Sequence, residues 1–294
     1  MIFSFEPTNN CNLKCPQCPT GMGILKRRTG YMDLSLYRSI INSISDSASA
    51  VQLFFQGEPF LQKDLPEMIR YADEKKLYTI TSTNGHFLSE ETVKSIFASN
   101  LKVLVIGLDG IDSETYEKYR KNGDFNKVIK GIELLIRKKT AGKTEYPKIV
   151  LQFLVFKNNE KQIDKIREFG KNIGADKVLI KSAQIYEQTD VDDFLPENSV
   201  YSRYKNDSGS ISLKTDIPNH CKRLWTTSVL TWDGITTPCC FDKDAEYAFG
   251  DLTKTELDSV WNGESAKHFR KKILADRTGI PMCNNCIEGL KIYY

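Results

Sequence analysis

The stretch IFSFEPTNNCNLKCPQC, residues 2–18, joins a short β-rich run to a loop that holds three cysteines. Its first four residues predict a strand. Cys11, Cys15 and Cys18 lie farther along within a span of eight residues, so their thiols can converge on one metal centre. Structural zinc and electron-transfer clusters usually take four protein ligands, whereas a catalytic metal keeps one coordination position open. The stretch therefore predicts a metal centre with an open position at the end of the first strand.

Outward from this loop, residues 1–185 alternate β-rich runs with helix-patterned runs, so that the period of the apolar residues switches between 2 and 3.6. Such alternation indicates parallel strands joined by right-handed helical crossovers, in a doubly wound sheet or in a barrel. In both folds the carboxyl ends of the strands carry the chemistry. Strands are predicted at 2–5, 50–55, 78–82, 103–108, 149–156 and 178–180, with helices at 34–44, 65–76, 90–98, 113–119, 126–138 and up to about 171.

The pattern lapses at residues 186–218, which are rich in Ser, Asp and Asn and predict a connecting segment. Beyond it, residues 219–294 predict a small α+β domain. Residues 225–232 alternate like a strand, Asp233-Gly234 is a strong hairpin turn, and residues 235–238 would form the return strand. Two short helices, at 256–262 and 265–274, lead to the last two cysteines.

Composition narrows the class of protein. The 294 residues are 40% hydrophobic, 11% aromatic and 27% charged, which is typical of a folded globular chain. The 41 basic and 38 acidic residues are well mixed along the chain and give a net charge of +3. The sequence therefore shows no cluster of basic residues that would bind nucleic acid or anionic lipid. No apolar run approaches the roughly 18 residues of a membrane span, and we expect a cytoplasmic protein. In that compartment eight cysteines favour metal ligation over disulfides.

The cysteine loop is similar to a known family. Cys-x3-Cys-x2-Cys after a first strand, entered through Glu6-Pro7-Thr8-Asn9, resembles the cluster loop of radical S-adenosylmethionine (SAM) enzymes. The resemblance implies that Cys11, Cys15 and Cys18 hold a 4Fe-4S cluster whose open iron is chelated by SAM. One electron then breaks SAM into methionine and a 5′-deoxyadenosyl radical, which removes a hydrogen atom from the substrate. With the alternating pattern, it favours a partial (β/α)6 TIM-like barrel carrying a small cluster-binding domain.

The resemblance also implies SAM-binding residues at successive strand ends. These are Gly57, Glu58 and Pro59 after the second strand, Ser82, Thr83 and Asn84 after the third, Gly107 and Asp109 after the fourth, and Gln152 on the fifth. Glu58 would meet the ammonium of SAM, and the fourth strand end would lie near its carboxylate and ribose. The sequence departs from the family pattern at Gln17, Gln56 and Gly107, where an aromatic residue, a glycine and a serine are frequent.

A second cysteine group, Cys221, Cys239, Cys240, Cys283 and Cys286, suits either a structural zinc or a 4Fe-4S cluster by spacing alone. Together with Gly234, Gly250-Asp251-Leu252 and Val260-Trp261-Asn262, these cysteines resemble the auxiliary-cluster domain called SPASM/twitch. The sequence ends eight residues after Cys286, so a single auxiliary 4Fe-4S cluster is implied, held by Cys221, Cys239, Cys283 and Cys286. Cys240 would be spare, and either a buried small residue or a participant in the chemistry.

Three functions remain open. The first is dehydrogenation of a small polar molecule, as in the twitch-type dehydrogenase that this short form resembles, with the auxiliary cluster taking the second electron. The second is modification of a ribosomal peptide by epimerisation or crosslinking, in which Cys240 would return a hydrogen atom. The third is a non-catalytic zinc protein. A flavodoxin or ferredoxin is the reductant that the family implies, and Lys181, Gln184 and Tyr186 at the sixth strand end would lie near the substrate.

Overall fold

The first two thirds of the chain form the predicted succession of strands and helices. The computed structural model describes residues 1–186, 191–207 and 210–288. In chain order the elements are β1 Ile2–Phe5, α1 Pro19–Met22, α2 Leu34–Ile44, β2 Ala50–Leu53, α3 Leu65–Glu74, β3 Tyr78–Thr83, α4 Glu90–Ala98, β4 Val103–Gly107, α5 Ser113–Tyr119, α6 Phe125–Gly142, β5 Lys148–Val155, α7 Ile163–Ile173 and β6 Lys177–Ser182. Asp33, Ser89, Asp112 and Asp124 cap the amino ends of α2, α4, α5 and α6 by accepting backbone N–H groups.

The remaining elements are shorter. They are α8 Val191–Phe194, β7 Tyr204–Asp207, β8 Ser210–Leu213, α9 Arg223–Thr226, β9 Thr227–Leu230, β10 Ile235–Thr237, β11 Gly250–Asp251, α10 Leu257–Trp261 and α11 Glu264–Ala275. The strand predicted from residue 225 begins later, because Ile2 at the start of β1 pairs with Thr227 and residues 225–226 lie before that register. They belong to α9 instead, and the hydroxyls of Thr226 and Thr227 donate back to carbonyls of its first turn.

The strands join in the order β11-β10-β9-β1-β2-β3-β4-β5-β6, a nine-stranded sheet within the described residues. β1 to β6 are parallel neighbours in sequence order, and β9 lies parallel to β1 on its other edge. β10 and β11 continue antiparallel. The α/β partial barrel is thus confirmed, and the C-terminal hairpin extends its sheet. The division of the chain at residues 186–218 stays a prediction.

The two faces of the sheet have different environments. On β5, Ile149, Leu151, Phe153 and Val155 are fully buried in the main hydrophobic core, which they share with residues of the surrounding helices. Gln152 alternates with them and points to the opposite face, where it lines a cavity. The apolar face holds the barrel together, and the other face is left for chemistry. In the described part of the chain no helix is long and apolar enough to cross a membrane.

A buried ion pair joins the end of β1 to the C-terminal hairpin. Arg27 donates through Nη1 and Nη2 to the two carboxylate oxygens of Glu6, at 2.8 Å each, and Glu6 is 0% exposed. The same carboxylate accepts the backbone N–H of Trp232, while Arg27 Nε donates to the carbonyl of Lys243 at 2.8 Å. Because the pair satisfies groups from both parts of the chain, it holds the hairpin against the barrel.

We expect Arg27→Leu to lower the free energy of unfolding by about 3–5 kcal/mol, because it leaves the Glu6 carboxylate buried without its cation. Urea denaturation followed by circular dichroism measures this. The control is Arg38→Leu, whose pair with Glu67 is partly exposed, with an expected loss below about 1 kcal/mol. The double variant Glu6→Gln, Arg27→Leu should recover part of the loss. Equal losses in Arg27→Leu and Arg38→Leu would contradict the linking role of the buried pair.

Candidate active site

An open cavity of about 490 Å³ lies at the carboxyl ends of the parallel strands. Most of the residues predicted for the site line it, although they come from five strand ends and from the middle of β5: Cys11, Cys15, Cys18, Gly57, Glu58, Pro59, Ser82, Thr83, Asn84, Gly107, Gln152, Lys181, Gln184 and Tyr186. Among the described residues, the lining includes neither Asp109 nor any of the C-terminal cysteines. The fold therefore brings the first cysteine loop and four strand-end motifs to one place.

The cysteine loop is shaped by its own backbone. The amide of Leu13 donates to Cys11 Sγ at 3.4 Å, the amide of Cys18 donates to the carbonyl of Cys15, and the Met22 amide caps the turn by donating to the Cys18 carbonyl. Burial raises the pKa of Cys11 to about 11 and also raises that of Cys15. These thiols need a nearby positive charge, such as a bound metal centre, to ionise near neutral pH.

Gly57 brings the second strand end against the cysteine loop. Its φ is +75°, and a Cβ there would lie 2.5 Å from the Asn10 carbonyl oxygen and 2.6 Å from that of Thr8. The next amide, of Glu58, donates to the same Asn10 carbonyl at 2.7 Å. Glycine is required here because the backbones touch, and any side chain would push the cysteine loop away.

The Glu58 carboxylate ties two strand ends together. It accepts hydrogen bonds from Thr83 Oγ1 at 2.8 Å, from the Asn84 amide at 2.7 Å and from the Phe60 amide at 3.1 Å. It is 2% exposed, and burial raises its pKa to about 7 although these donors lower it. A cation bound in the cavity would hold this carboxylate in its ionised form.

His86 fixes the amide of Asn84. Its Nε2 accepts the Asp124 backbone N–H at 2.8 Å, so Nδ1 carries the proton and donates to Asn84 Oδ1 at 3.0 Å. The amide nitrogen of Asn84 then donates to Asn12 Oδ1 at 2.8 Å within the cysteine loop. His86 has no spacing signature in the sequence, yet it is 6% exposed and orients a site residue.

Arg120 is a lining residue that sequence reasoning missed. Its guanidinium donates to Asp109 Oδ2 at 2.7 Å from Nε, and Asp109 Oδ1 accepts the Leu154 amide at 2.7 Å. Asp109 is fully buried behind Arg120 and holds it in place. A Cβ on Gly107 would lie 2.5 Å from Arg120 Nη2, so the absent side chain at 107 leaves room for the guanidinium. Gly107, at a position where the family frequently has a serine, was the sequence feature that could have pointed to Arg120.

The C-terminal cysteines lie close to one another and to a buried cation. Cys221, Cys239, Cys283 and Cys286 are each at most 8% exposed, and the fully buried Arg277 interacts electrostatically with Cys283 and Cys286. Within residues 1–186, 191–207 and 210–288 no carboxylate pairs with Arg277, and its Nε has no partner. A buried guanidinium is costly without a negative partner. This environment fits thiolates that carry a metal cluster.

Cys240 has two basic side chains near it. Arg223 Nη1 donates to its Sγ at 3.4 Å, and Lys243, which lines the cavity, interacts electrostatically with Cys240 and with Tyr186. Burial alone would lower the pKa of Lys243, but Tyr186, Cys240, Cys18 and Cys239 together raise it above its usual value. Lys243 therefore offsets negative charge from both cysteine groups.

The donor sets match a cluster better than a single ion. All eight cysteines are free thiols, yet among the described residues no three His, Cys, Asp or Glu side chains are arranged to hold one metal ion. A four-iron cluster takes its cysteine ligands at separate corners, so its thiols need not meet at one point. Three cysteines line the cavity and four buried ones lie close to one another near Arg277, and both sets fit clusters of this kind.

Comparison with known proteins agrees with this arrangement. The family model of the radical SAM superfamily matches residues 5–170, and that of an iron-sulfur cluster-binding domain, SPASM, matches residues 221–287. The first match alone covers more than half of the 294 residues, and the chain belongs to the radical SAM superfamily. The family suspected from the cysteine spacing is thereby confirmed, together with a short C-terminal SPASM region.

Individual relatives are distant. An AdoMet-dependent heme synthase of Methanosarcina barkeri is 27% identical over 175 residues, 59% of this chain, and the match spans 48% of that protein. BtrN, solved in complex with AdoMet and 2-DOIA, has a TM-score of 0.60 at 19% identity and covers 98% of this chain and 93% of its own. SuiB of Streptococcus suis, solved bound to the precursor peptide SuiA, has a TM-score of 0.67 at 16% identity. The match covers 97% of this chain and 69% of SuiB. These structures share the fold.

We expect Gly57→Ala to lower the iron content of the reconstituted protein, because the new methyl group displaces the loop whose three cysteines would hold a cluster. The matched control is Gly23→Ala. Gly23 also has a positive φ, +70°, but its Cβ would meet nothing within 4 Å, so this variant carries the backbone strain without the collision. Full iron content in Gly57→Ala would refute the contact, and equal losses in both variants would assign the effect to strain.

Proposed function

We propose that this chain binds SAM in the cavity, cleaves it reductively, and abstracts a hydrogen atom to oxidise a small polar substrate. The observation that carries the proposal is the cavity itself, where three cysteines and four strand-end motifs meet. A bound, reduced 4Fe-4S cluster supplies the electron that splits SAM into methionine and the 5′-deoxyadenosyl radical. Cys11, Cys15 and Cys18 are its ligands in this proposal, and a cytoplasmic flavodoxin or ferredoxin is the expected reductant.

The chain's own residues then position SAM. Glu58 faces the ammonium of SAM in this proposal, and the cation would keep ionised a carboxylate whose pKa burial raises to about 7. Gly57 and Pro59 shape the same wall, and Ser82, Thr83 and Asn84 form the adjoining one. Gln152, on the cavity face of β5, is placed to donate or accept a hydrogen bond with the ribose or adenine.

Arg120 is our candidate for the SAM carboxylate. Gly107 has no hydroxyl to offer at the fourth strand end, but the guanidinium beside it lines the cavity. Asp109 binds one edge of that guanidinium through Nε and Nη2, and Nη1 lies 4.0 Å from Cys15 Sγ at the cavity wall. Because a guanidinium matches a carboxylate in shape and charge, this geometry favours anion recognition there. Asp109 acts through Arg120.

Oxidation of a small molecule is supported by the size of the cavity and by the similarity of the fold to that of BtrN. The wall at residues 182–186 is held from both sides, because Arg203 Nη2 donates to the Ser182 carbonyl at 2.7 Å and Asn285 Nδ2 donates to the Ile185 carbonyl at 2.7 Å. A cavity of about 490 Å³ with a fixed wall suits a small substrate. BtrN, which was solved with the small molecule 2-DOIA, covers nearly the whole chain. A single auxiliary cluster at Cys221, Cys239, Cys283 and Cys286 would accept the second electron.

The alternative is peptide modification, which the likeness to SuiB with its bound precursor peptide supports. In that case Cys240, held beside Arg223 and Lys243, would donate a hydrogen atom from its thiol. The thiol donor distinguishes an epimerase from a dehydrogenase. Full activity of Cys240→Ala with the identified substrate would exclude donation by this residue.

Anaerobic reconstitution tests the proposed function directly. We expect about eight irons and eight sulfides per chain for two 4Fe-4S clusters, and 5′-deoxyadenosine formed from SAM when dithionite is added. Cys15→Ala should abolish 5′-deoxyadenosine formation while the auxiliary cluster retains about half of the iron. Chromatographic detection of 5′-deoxyadenosine and colorimetric iron analysis give both readings. Zinc in place of iron, or no SAM cleavage by the iron-loaded protein, would contradict the proposal and favour a zinc-binding protein.

Cys239 and Cys240 are adjacent, so replacing each in turn tests which of them is a ligand of the auxiliary cluster. Cys239 is 8% exposed and acts electrostatically on Cys283 and Cys286, whereas Cys240 contacts Arg223. We therefore expect Cys239→Ala to lose about half of the iron, as removal of a cluster ligand would, and Cys240→Ala to keep it. Iron analysis and the absorbance near the visible cluster band decide the question. Loss of iron in Cys240→Ala alone would reverse the assignment of the ligand.

A further inference from the structure

Two basic side chains line the β6 side of the cavity, on the opposite flank of the parallel strands from Glu58. Lys181 lies on β6 itself, two residues beyond Leu179 on the same face, and both line the cavity. Arg203 reaches the same wall from the segment before β7. Its Nε donates to Ser182 Oγ at 3.2 Å and its Nη2 to the Ser182 carbonyl at 2.7 Å. Arg203 is 8% exposed and therefore a fixed donor.

These cations lack acidic partners in the part of the chain that the structure describes. No ion pair of Lys181 or Arg203 occurs there, and Glu58, on β2's side, is the one carboxylate among the described lining residues. Its oxygens already accept three hydrogen bonds from Thr83, Asn84 and Phe60. Two close positive charges repel one another, so their placement in one wall is favourable when an anion joins them.

The cysteines do not account for both cations. Cys240 has its own donor, Arg223 Nη1 at 3.4 Å, and Arg223 is in turn paired with Glu288. Lys243 acts electrostatically on Cys18 and Cys239, and Arg277 acts electrostatically on Cys283 and Cys286. Of the two β6-side cations, Lys181 acts electrostatically on Cys240, while Arg203 is directed to Ser182 and the cavity. A positively charged wall remains at the substrate side once the thiols are paired.

We propose that Lys181 and Arg203 form an oxyanion subsite that binds a carboxylate or phosphate group of the substrate. The inference rests on the proposed function, since it names the class of molecule that the same cavity oxidises. A guanidinium fixed by Ser182 supplies directed hydrogen bonds, and the flexible ammonium of Lys181 closes on the anion from β6. The subsite would hold the charged end of the substrate near β6, with the proposed SAM residues on β2 to β5 beside it.

The test is binding of simple oxyanions to the reconstituted holoenzyme, saturated with SAM so that the region of Arg120 is already occupied. Inorganic phosphate and acetate are titrated separately by calorimetry at low ionic strength. We expect saturable binding of at least one anion. Lys181→Gln and Arg203→Gln should each raise its dissociation constant about tenfold or more, the effect of removing a charged hydrogen bond. Lys177→Gln, a matched change at the other end of β6, should leave the constant within about twofold of wild type.

Tighter binding of phosphate than acetate assigns a phosphorylated substrate, and the reverse order assigns a carboxylate. Lys181→Arg, which keeps the charge, should bind within about threefold of wild type and guards against a variant that misfolds. Iron content of every variant reports folding. Absence of saturable binding in the wild type, or equal binding by wild type and Lys181→Gln at full iron content, overturns the subsite. Formation of 5′-deoxyadenosine by the same wild-type sample is scored separately, so failure of the radical chemistry is distinguishable from failure of the subsite.

Discussion

The pairing of β1 on both of its edges is the constraint on which the rest of the structure depends. Ile2–Phe5 forms parallel ladders with β2 on one side and with β9 on the other, and Phe3 and Phe5 are buried in the core at 1% and 0% exposure. Burial of each such ring stabilises the fold by about 1.5–3 kcal/mol. Because the three strands are parallel, their carboxyl ends meet at one edge of the sheet. The cysteine loop, the Gly57 turn and the C-terminal hairpin therefore converge there, and the Glu6–Arg27 pair ties the end of β1 to that hairpin.

The two cysteine groups are linked through one short segment of the cavity wall. The amide of Tyr186 donates to Gln17 Oε1 at 2.8 Å, which ties the segment after β6 to the first cysteine loop. Asn285, between Cys283 and Cys286, donates to the Ile185 carbonyl of that same segment. Gln17, where an aromatic residue is frequent in the family, thus has a positional role. One short stretch, residues 182–186, contacts residues of both groups and also lines part of the cavity.

Much of the architecture follows from local sequence. Helix α2 and strand β1 begin and end where their periodicity predicts, and the cysteine spacing alone indicated a metal centre with an open position. The strand predicted from residue 225 was wrong at its start, because its extent depends on where β1 offers a partner. His86 and Arg120 were missed for a related reason. Each acts through a contact with a residue of another segment of the chain, His86 with Asp124 and Arg120 with Asp109, and neither has a spacing signature.

The sequence by itself determined the alternating elements, the family and the cysteines that stand at the ends of strands, since these depend on periodicity and on spacing within a few residues. The tertiary structure alone decided which of them share a cavity. It placed Asp109 behind Arg120, filled the space beside Gly107 with a guanidinium, and set Lys181 and Arg203 in one wall. Electrostatic interaction depends on distance in space and on burial, neither of which is encoded in separation along the chain.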